Sequence, residues 1–137
     1  MNKSLYVFTD GGAKGNPGPA AIGFVVKDNF GKTLVREGKS IGFATNNIAE
    51  YRAVIGALCW ILTNIKEQPL TINFYLDSTL VVNQLNGLFK IKNKNLKNLA
   101  VEVKRLEGKI NGKIFYHYNP RKKNKESHFL VVSALVR

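Results

Sequence analysis

Residues 48–65 form an apolar segment that constrains the fold of this chain more than any other feature. Only Glu50 and Arg52 carry a charge within it. A helix that is apolar nearly all round must be buried by its neighbours, and the segments near it have the pattern of strands. The segment therefore predicts a helix packed against a β-sheet, which makes the chain an α/β protein.

Strand-like segments precede and follow this helix. They are residues 5–9, 21–27, 33–41, 70–76 and 114–118. An Asp-Asn-Phe-Gly sequence suits a hairpin between the second and third strands. Helical patterns separate the third, fourth and fifth strands, and a final helix is expected from about Lys125. Strands connected through helices run parallel to their neighbours. We expect a five-stranded mixed sheet, three antiparallel strands followed by two parallel ones, flanked by helices.

Length and charge narrow the classes of function. A chain of 137 residues with 45% hydrophobic residues suits a single packed domain spanning residues 1–137. Its net charge is +12, and residues 90–125 contain 12 of the 21 basic residues but only 2 of the 9 acidic ones. Such a basic block favours nucleic acid as the partner, although a solvated lysine face is the simpler alternative.

No apolar stretch approaches the ~20 residues that a membrane helix needs. We therefore expect a soluble, cytoplasmic protein with no membrane partner, acting as a monomer. The single cysteine, Cys59, lies in an apolar run and has no second cysteine with which to form a disulfide or a zinc site. The sequence predicts a buried thiol.

Three acidic residues occupy unusual positions. Asp10 and Asp77 each follow an apolar strand, and Glu50 precedes apolar residues at offsets of 4, 7 and 11 along the buried helix. Each has an ordinary explanation: Asp10 as a turn residue, Asp77 as the cap of the next helix and Glu50 as an acid in the first turn of its helix. If the first and fourth strands are neighbours, however, the three carboxylates converge. Hard oxygen ligands suit Mg²⁺ or Mn²⁺, and a pair of such ions supports phosphodiester hydrolysis.

The glycine-rich segment of residues 11–19 does not match either standard nucleotide-binding motif, so no nucleotide cofactor is expected. Asp10, Gly11 and Gly12 are predicted to form a turn that ends the first strand. Exposed backbone N–H groups in such a turn could approach a sugar-phosphate chain closely, because no Cβ atom stands in the way. A tight hairpin is the simpler interpretation.

Four motifs follow one another along the chain. They are Phe-Thr-Asp-Gly-Gly at 8–12 with Gly-Asn-Pro-Gly-Pro-Ala at 15–20, Thr-Asn-Asn-Ile-Ala-Glu-Tyr at 45–51, Leu-Asp-Ser at 76–78 with Val-Val-Asn-Gln at 81–84, and Lys-Ile-Lys-Asn-Lys-Asn-Leu at 90–96. In these motifs the chain resembles the type 1 ribonuclease H (RNase HI) family. The resemblance implies a ribonuclease H-like fold and an endonuclease that cuts the RNA strand of an RNA/DNA hybrid with two Mg²⁺ or Mn²⁺ ions.

The resemblance also assigns site residues. It makes Asp10, Glu50 and Asp77 the catalytic metal ligands. The expected substrate contacts are Gly11, Gly12, Asn16, Thr45, Asn46, Asn47, Lys90, Lys92 and Arg121. Contacts to 2′-hydroxyls would distinguish RNA from DNA, and lysines on phosphates would give affinity without sequence preference. His117 lies within the fifth strand and is interpreted as structural.

The chain departs from the family at one catalytic position. Family members usually carry a fourth acid near the start of the last helix, where this chain has His128, and Val132 replaces a later Asn. We expect His128 to be the fourth catalytic and metal-binding residue, which binds the ion weakly or transfers protons. Glu126 lies about 200° round the helix and should not replace the acid. The alternative is a degenerated site, in a weakened or inactive module that binds hybrid or double-stranded RNA.

Overall fold

The computed structural model describes residues 3–136. The strands are β1 (Lys3–Ala13), β2 (Gly18–Asp28), β3 (Thr33–Ala44), β4 (Leu70–Leu76) and β5 (Gly112–Tyr118). The helices are α1 (Asn46–Asn64), α2 (Thr79–Leu85), α3 (Lys94–Glu107) and α4 (Lys125–Leu135), with a short 3-10 helix at Arg121–Lys123. The part of the chain so described contains no helix that is both long and apolar enough to cross a membrane.

The strands form one sheet in the order β3-β2-β1-β4-β5. β1 pairs with β2, and β2 with β3, in antiparallel fashion. β4 runs parallel to both β1 and β5. The predicted mixed sheet is therefore confirmed, and it brings the carboxyl ends of β1 and β4 to the same edge.

Helices cover the two faces of the sheet unequally. α1 packs on β1 and β2 and also against α3, and it buries residues such as Tyr51, Val54 and Leu58. α4 packs on the opposite face, against β2, β3 and β1. The α4 side of β4 and β5 remains open and carries the exposed side chains of Phe115 and His117.

Side-chain caps set the starts of three helices. The Thr45 hydroxyl accepts a hydrogen bond from the N–H of Ile48 at the start of α1, and the amide oxygen of Asn93 caps α3 in the same way. Ser78 caps α2, and Gly87 follows that helix with a φ of 76°. Each cap satisfies an N–H group that the first helical turn would otherwise leave unpaired. The end of β4, just before Ser78, is thereby held next to the start of α2.

The prediction of a turn at Asp10-Gly11-Gly12 is wrong. β1 continues through these residues to Ala13, and Gly11 pairs with Ile22 of β2. The glycine is required by packing: a Cβ atom at Gly11 would lie 2.3 Å from the carbonyl carbon of Ala49 in α1. The glycine thus lets helix backbone and strand backbone meet directly.

A second glycine allows the same approach on the other face. A Cβ atom at Gly23 of β2 would lie 2.5 Å from the backbone oxygen of Ser127 in α4. Gly11 and Gly23 therefore let α1 and α4 sit unusually close to the two faces of adjacent strands.

The predicted burial of Cys59 is wrong as well. The thiol side chain is exposed. The buried stripe of α1 contains Ala57, Leu58 and Ile61, and the helical period turns residue 59 away from that stripe. An apolar run on a helix packed from one side still has a solvent side.

Candidate active site

Three carboxylates meet at the edge where β1 and β4 end. Asp10 lies near the end of β1, Asp77 directly follows β4, and Glu50 projects from the first turns of α1. Each offers an oxygen atom within 4.8 Å of the others. The parallel pairing of β1 with β4 places the two aspartates side by side, and the close contact at Gly11 brings Glu50 down onto them.

Burial makes this cluster costly when all three groups are charged. Asp10 is 1% exposed and Glu50 is 5% exposed. Burial raises the pKa of Asp10, and the charge of Asp77 raises it further. Burial also holds the pKa of Glu50 well above its usual range, with added repulsion from Asp10 and Asp77. The N–H of Gly11 donates a hydrogen bond of 3.2 Å to Glu50 Oε1, which offsets only part of this effect. A cation would relieve the rest.

The donor set fits a divalent cation. Asp10 Oδ1 and Glu50 Oε2 are buried and have no hydrogen-bond partner within the described part of the chain. Unpaired buried polar atoms are rare in folded proteins and need an explanation. Carboxylate oxygens are the ligands that Mg²⁺ and Mn²⁺ favour, so Asp10, Glu50 and Asp77 could hold such ions.

His128 lies at this cluster. Its Nδ1 atom is 2.9 Å from Asp10 Oδ2, and its side chain is 35% exposed. Glu126 points elsewhere and forms an ion pair of 2.6 Å with Arg36 of β3. His128 thus contacts Asp10 of the cluster, whereas Glu126 is bound by Arg36.

Arg121 and Asn124 make contacts that the sequence did not predict. Arg121 Nε donates a hydrogen bond of 3.1 Å to Asp77 Oδ2, while most of its side chain remains exposed. Asn124 is buried, and its Nδ2 donates to the backbone oxygen of Thr9 at 2.9 Å. That contact ties the start of α4 to β1 one residue before Asp10.

The cluster opens into a cleft of about 530 Å³. Besides the three acids and His128, two groups of residues line it: residues predicted to contact the substrate, and apolar residues. The predicted contacts in the wall are Gly11, Gly12, Asn46, Asn47 and Arg121, and the apolar residues are Leu80, Val131, Val132 and Leu135. The carboxylates thus share the cleft with polar groups and with an apolar surface.

A smaller pocket of about 250 Å³ lies beside the start of α1. Asn16, Thr45 and Asn47 line it, together with Asn93 and Asn95 of the α3 N-terminus. Thr45 and Asn16 also have structural roles, because Thr45 caps α1 and the amide oxygen of Asn16 accepts from the N–H of Asn46. The structure therefore places Asn16 and Thr45 in a different recess from the acids.

Lys90 and Lys92 are exposed in the loop between α2 and α3 and do not line the cleft. His117 lies away from the cleft, on the open face of β5. Its Nε2 is 2.9 Å from Asn73 Oδ1, and its ring stacks on Tyr75. The structure thus separates the lysines and His117 from the carboxylate cluster.

Comparisons with known proteins agree with this geometry. Residues 2–128 match the family model described as RNase H. The chain is 38% identical over 132 residues to a bifunctional protein of Mycobacterium tuberculosis, covering 96% of this chain and 35% of that protein. It is 33% identical over 136 residues to ribonuclease HI of Halobacterium salinarum, covering 96% of this chain and 64% of that enzyme. The chain therefore spans only about a third to two thirds of the length of these relatives.

Solved structures share the fold. RNase H1 of Halobacterium salinarum superimposes with a TM-score of 0.89 at 32% identity, covering 99% of this chain and 98% of the other. LC11-RNase H1, solved in complex with an RNA/DNA hybrid, gives a TM-score of 0.91 at 35% identity, covering 96% of each chain. The family match, the relatives and the common fold show that this chain belongs to the RNase H family, type 1, as its motifs predicted.

Proposed function

We propose that this protein hydrolyses the RNA strand of RNA/DNA hybrids and that Asp10, Glu50 and Asp77 bind the divalent ions that the reaction needs. The observation that carries the proposal is the cluster of three carboxylates with ligand oxygens within 4.8 Å of one another and unpaired buried oxygens on two of them. The similar LC11-RNase H1 was solved with such a hybrid, which supports the choice of substrate.

Two Mg²⁺ or Mn²⁺ ions would supply charge stabilisation to the reacting phosphate and lower the pKa of the attacking water. The fold holds the three carboxylates that would bind these ions in fixed positions. Asp10 and Asp77 are fixed by the pairing of β1 with β4, and Glu50 is fixed by the contact of α1 with Gly11. Ligands on strands and packed helices hold their geometry better than ligands on loops.

Substrate binding is assigned to the cleft and the surfaces next to it. The backbone at Gly11 and Gly12 and the side chains of Asn46 and Asn47 line the cleft, where they would contact the RNA strand. Asn16 and Thr45, in the neighbouring recess, would contact phosphate of the same duplex. Hydrogen bonds to 2′-hydroxyl groups would select RNA over DNA for cleavage.

Basic side chains would add affinity around these polar contacts. Lys90 and Lys92 project from an exposed loop, where they can reach a duplex backbone, and Arg121 lies at Asp77. The arginine is placed to contact the phosphate nearest the acids, because its guanidinium retains donors beyond the one that binds Asp77.

We assign His128 to the fourth position of the site. With Nδ1 directed at Asp10, the imidazole retains Nε2 to bind an ion or to transfer a proton at the leaving oxygen. Replacing a carboxylate by imidazole lowers the negative charge of the site, so the protein should need more Mg²⁺ than a four-carboxylate enzyme and should favour Mn²⁺.

The test is cleavage of a hybrid labelled on the RNA strand at graded Mg²⁺ and Mn²⁺, beside the same duplex labelled on the DNA strand. Asp10→Asn is the control that retains the shape of the site. Cleavage of RNA alone, absent in Asp10→Asn, supports the proposal. Binding of the hybrid without cleavage by either metal would instead favour a catalytically inactive binding module, for which the missing fourth acid is the structural reason.

A further inference from the structure

Aromatic rings form a stacked row on the open face of the sheet. Phe8 of β1 stacks on Tyr75 of β4, and Tyr75 stacks on His117 of β5, with centroid distances of 5.1 Å in both pairs. Phe115 lies next to His117 with its centroid 6.4 Å away. Because β5 is the edge strand, the row ends at His117 with no further strand beyond it. A planar ring placed there would extend the stack.

A groove of about 490 Å³ runs beside this row. Tyr6, Phe8 and Tyr75 contribute aromatic rings to its lining, and Lys27 and Lys123 line it as well. The Lys27 ammonium group lies 5.9 Å from the centroid of the Phe8 ring. We call this region the aromatic groove. None of its lining residues lines the cleft at the carboxylate cluster, so the two are separate sites.

The groove is basic overall. Asp28, its acidic lining residue, uses Oδ1 to accept hydrogen bonds from the N–H groups of Phe30 and Lys32. Glu126, nearby, is held by Arg36 at 2.6 Å and by Lys27 at 3.6 Å. Among residues 3–136, no carboxylate lies within the 4.0 Å ion-pair distance of the Lys123 ammonium group. A ligand with negative charge would complement this surface.

The connection between β5 and α4 separates the groove from the cleft. Arg121 binds Asp77 on the side of the cleft, whereas Lys123, two residues later, lines the groove. Phe8 and Asp10 lie two residues apart on β1 and point to the same face of the sheet, so the two sites begin about 7 Å from each other along the strand.

We propose that the aromatic groove binds single-stranded nucleic acid, with bases against the aromatic row and phosphates at Lys27 and Lys123. Unpaired bases stack on aromatic side chains, whereas the bases of a duplex are already stacked and paired. A row of rings beside lysines therefore suits a single strand. His117, at the end of the row, stacks a further base, and Lys113, exposed on the same face of β5, contacts its phosphate.

The test is binding of a fluorescein-labelled dT 15-mer, followed by anisotropy at several salt concentrations, with saturating unlabelled RNA/DNA hybrid present to fill the cleft. Asp10→Asn is used throughout to prevent cleavage of the hybrid. We expect His117→Leu to weaken binding of the oligonucleotide about 5-fold or more, because stacking of one base is lost. Lys123→Gln should lower the slope of log affinity against log salt by about 0.7.

Matched controls are available in exposed side chains outside the groove. Phe129→Leu removes an exposed aromatic ring on α4, and Lys39→Gln removes an exposed lysine on β3. Both should leave binding unchanged. Uridine monophosphate as competitor distinguishes a mononucleotide site from a strand-binding site, since a site for a strand requires several contacts and should not be blocked at micromolar concentrations.

Three results would overturn the proposal. One is complete displacement of the oligonucleotide by hybrid, and another is an equal effect of the two variants, His117→Leu and Lys123→Gln, and of their controls. The third is block by the mononucleotide at micromolar concentrations. Circular dichroism and thermal unfolding of His117→Leu and Lys123→Gln identify any loss of folding, and Tyr75→Leu provides a second test of stacking. A groove that binds no single strand in any of these proteins would be a surface for another class of partner.

Discussion

The Nδ1 atom of His128 lies 2.9 Å from Oδ2 of Asp10, across a sequence separation of 118 residues. The contact uses one oxygen of the aspartate and leaves its Oδ1 buried without a partner. The histidine therefore orients the carboxylate and leaves its second oxygen for a cation. The contact joins His128 to the carboxylate cluster through Asp10.

Replacing His128 by aspartate should lower the Mg²⁺ concentration needed for cleavage. An added carboxylate near the ions attracts them by roughly 1–4 kcal/mol at ~4 Å, so we expect about a fivefold decrease or more in the half-saturating Mg²⁺ concentration. The measurement is the rate of hybrid cleavage against Mg²⁺ concentration for both proteins.

His128→Asn is the matched control for that substitution, because it is close in size to aspartate and adds no charge. It should not lower the Mg²⁺ requirement. An identical Mg²⁺ dependence of the wild-type protein and His128→Asp would show that the fourth position does not act on the ions.

Asp10→Asn should stabilise the metal-free protein near neutral pH. Burial raises the folded-state pKa of Asp10 from its usual 3.8, and that of Glu50 is raised well above 4.5. Between the usual and the raised values the folded state binds more protons than the unfolded state, so stability falls as the pH rises. Removing one of the three charges should raise Tm by about 4 °C for each kcal/mol of repulsion relieved.

Thermal unfolding in EDTA from pH 4 to pH 8 provides the measurement. The wild-type Tm should fall more steeply with pH than that of Asp10→Asn, and Mg²⁺ or Mn²⁺ should raise the wild-type Tm alone. If Tm fell equally steeply with pH in the two proteins, the carboxylate cluster would not be the cause of the pH dependence.

Gly11→Ala should destabilise the fold and impair the site. The new Cβ atom would lie 2.3 Å from the Ala49 carbonyl carbon, so α1 must shift, and with it Glu50. Overpacking of this kind costs about 1–3 kcal/mol or more. At Gly12 a Cβ atom would meet the side chains of Val131 at 3.7 Å and Asn46 at 3.9 Å, which are ordinary contacts. Gly12→Ala is therefore the control, and denaturant unfolding should show a much smaller loss of stability for it.

Lys92→Gln should weaken binding of the hybrid and lower its dependence on salt. One lost phosphate contact decreases the slope of log affinity against log salt by about 0.9 for a duplex. Lys66→Gln removes another exposed lysine, beyond the end of α1. Binding measured by anisotropy with Asp10→Asn should show no change in slope for the Lys66 variant. Equal slopes for Lys92→Gln and the unsubstituted protein would remove Lys92 from the substrate surface.

Asn124→Ala should show how far the activity depends on the placement of α4 against β1, because Asn124 holds these two elements together. Loss of the buried hydrogen bond to the Thr9 oxygen leaves that acceptor unpaired, at a cost of about 1–3 kcal/mol. We expect lower stability and a lower maximal cleavage rate with little change in hybrid affinity, because the duplex surface is untouched. Asn124→Ser, which can still donate, should recover part of both losses.

Much of the fold was predictable because hydrophobic periodicity reports directly on which face of an element is buried. The alternation in β4 and the apolar length of α1 were enough to set the mixed sheet, and the sheet order brings Asp10 next to Asp77. The apolar residues that follow Glu50 on the same helix face indicated that it joins these aspartates, and the motif resemblance added the position of His128.

The remaining features depend on contacts between distant segments. The continuation of β1 through Gly11 depends on the backbone of α1, and the exposure of Cys59 depends on which side of that helix meets the sheet. The bonds from Arg121 to Asp77 and from Asn124 to Thr9 join residues more than forty positions apart. The hydrophobic pattern within one segment contains no information about contacts between residues so far apart in the sequence.

The glycines at positions 11 and 23 have a further consequence for the reaction. Helix and strand meet there backbone to backbone, so van der Waals contact between backbone atoms sets the spacing, and no side chain can change rotamer to adjust it. Glu50 is carried by one of these helices and His128 by the other, on opposite faces of the sheet that holds Asp10. The distances among these three residues therefore depend on the thickness of the sheet backbone, with no side chain between sheet and helices. The side chain at position 128 can therefore differ without a change in the backbone spacing that places it.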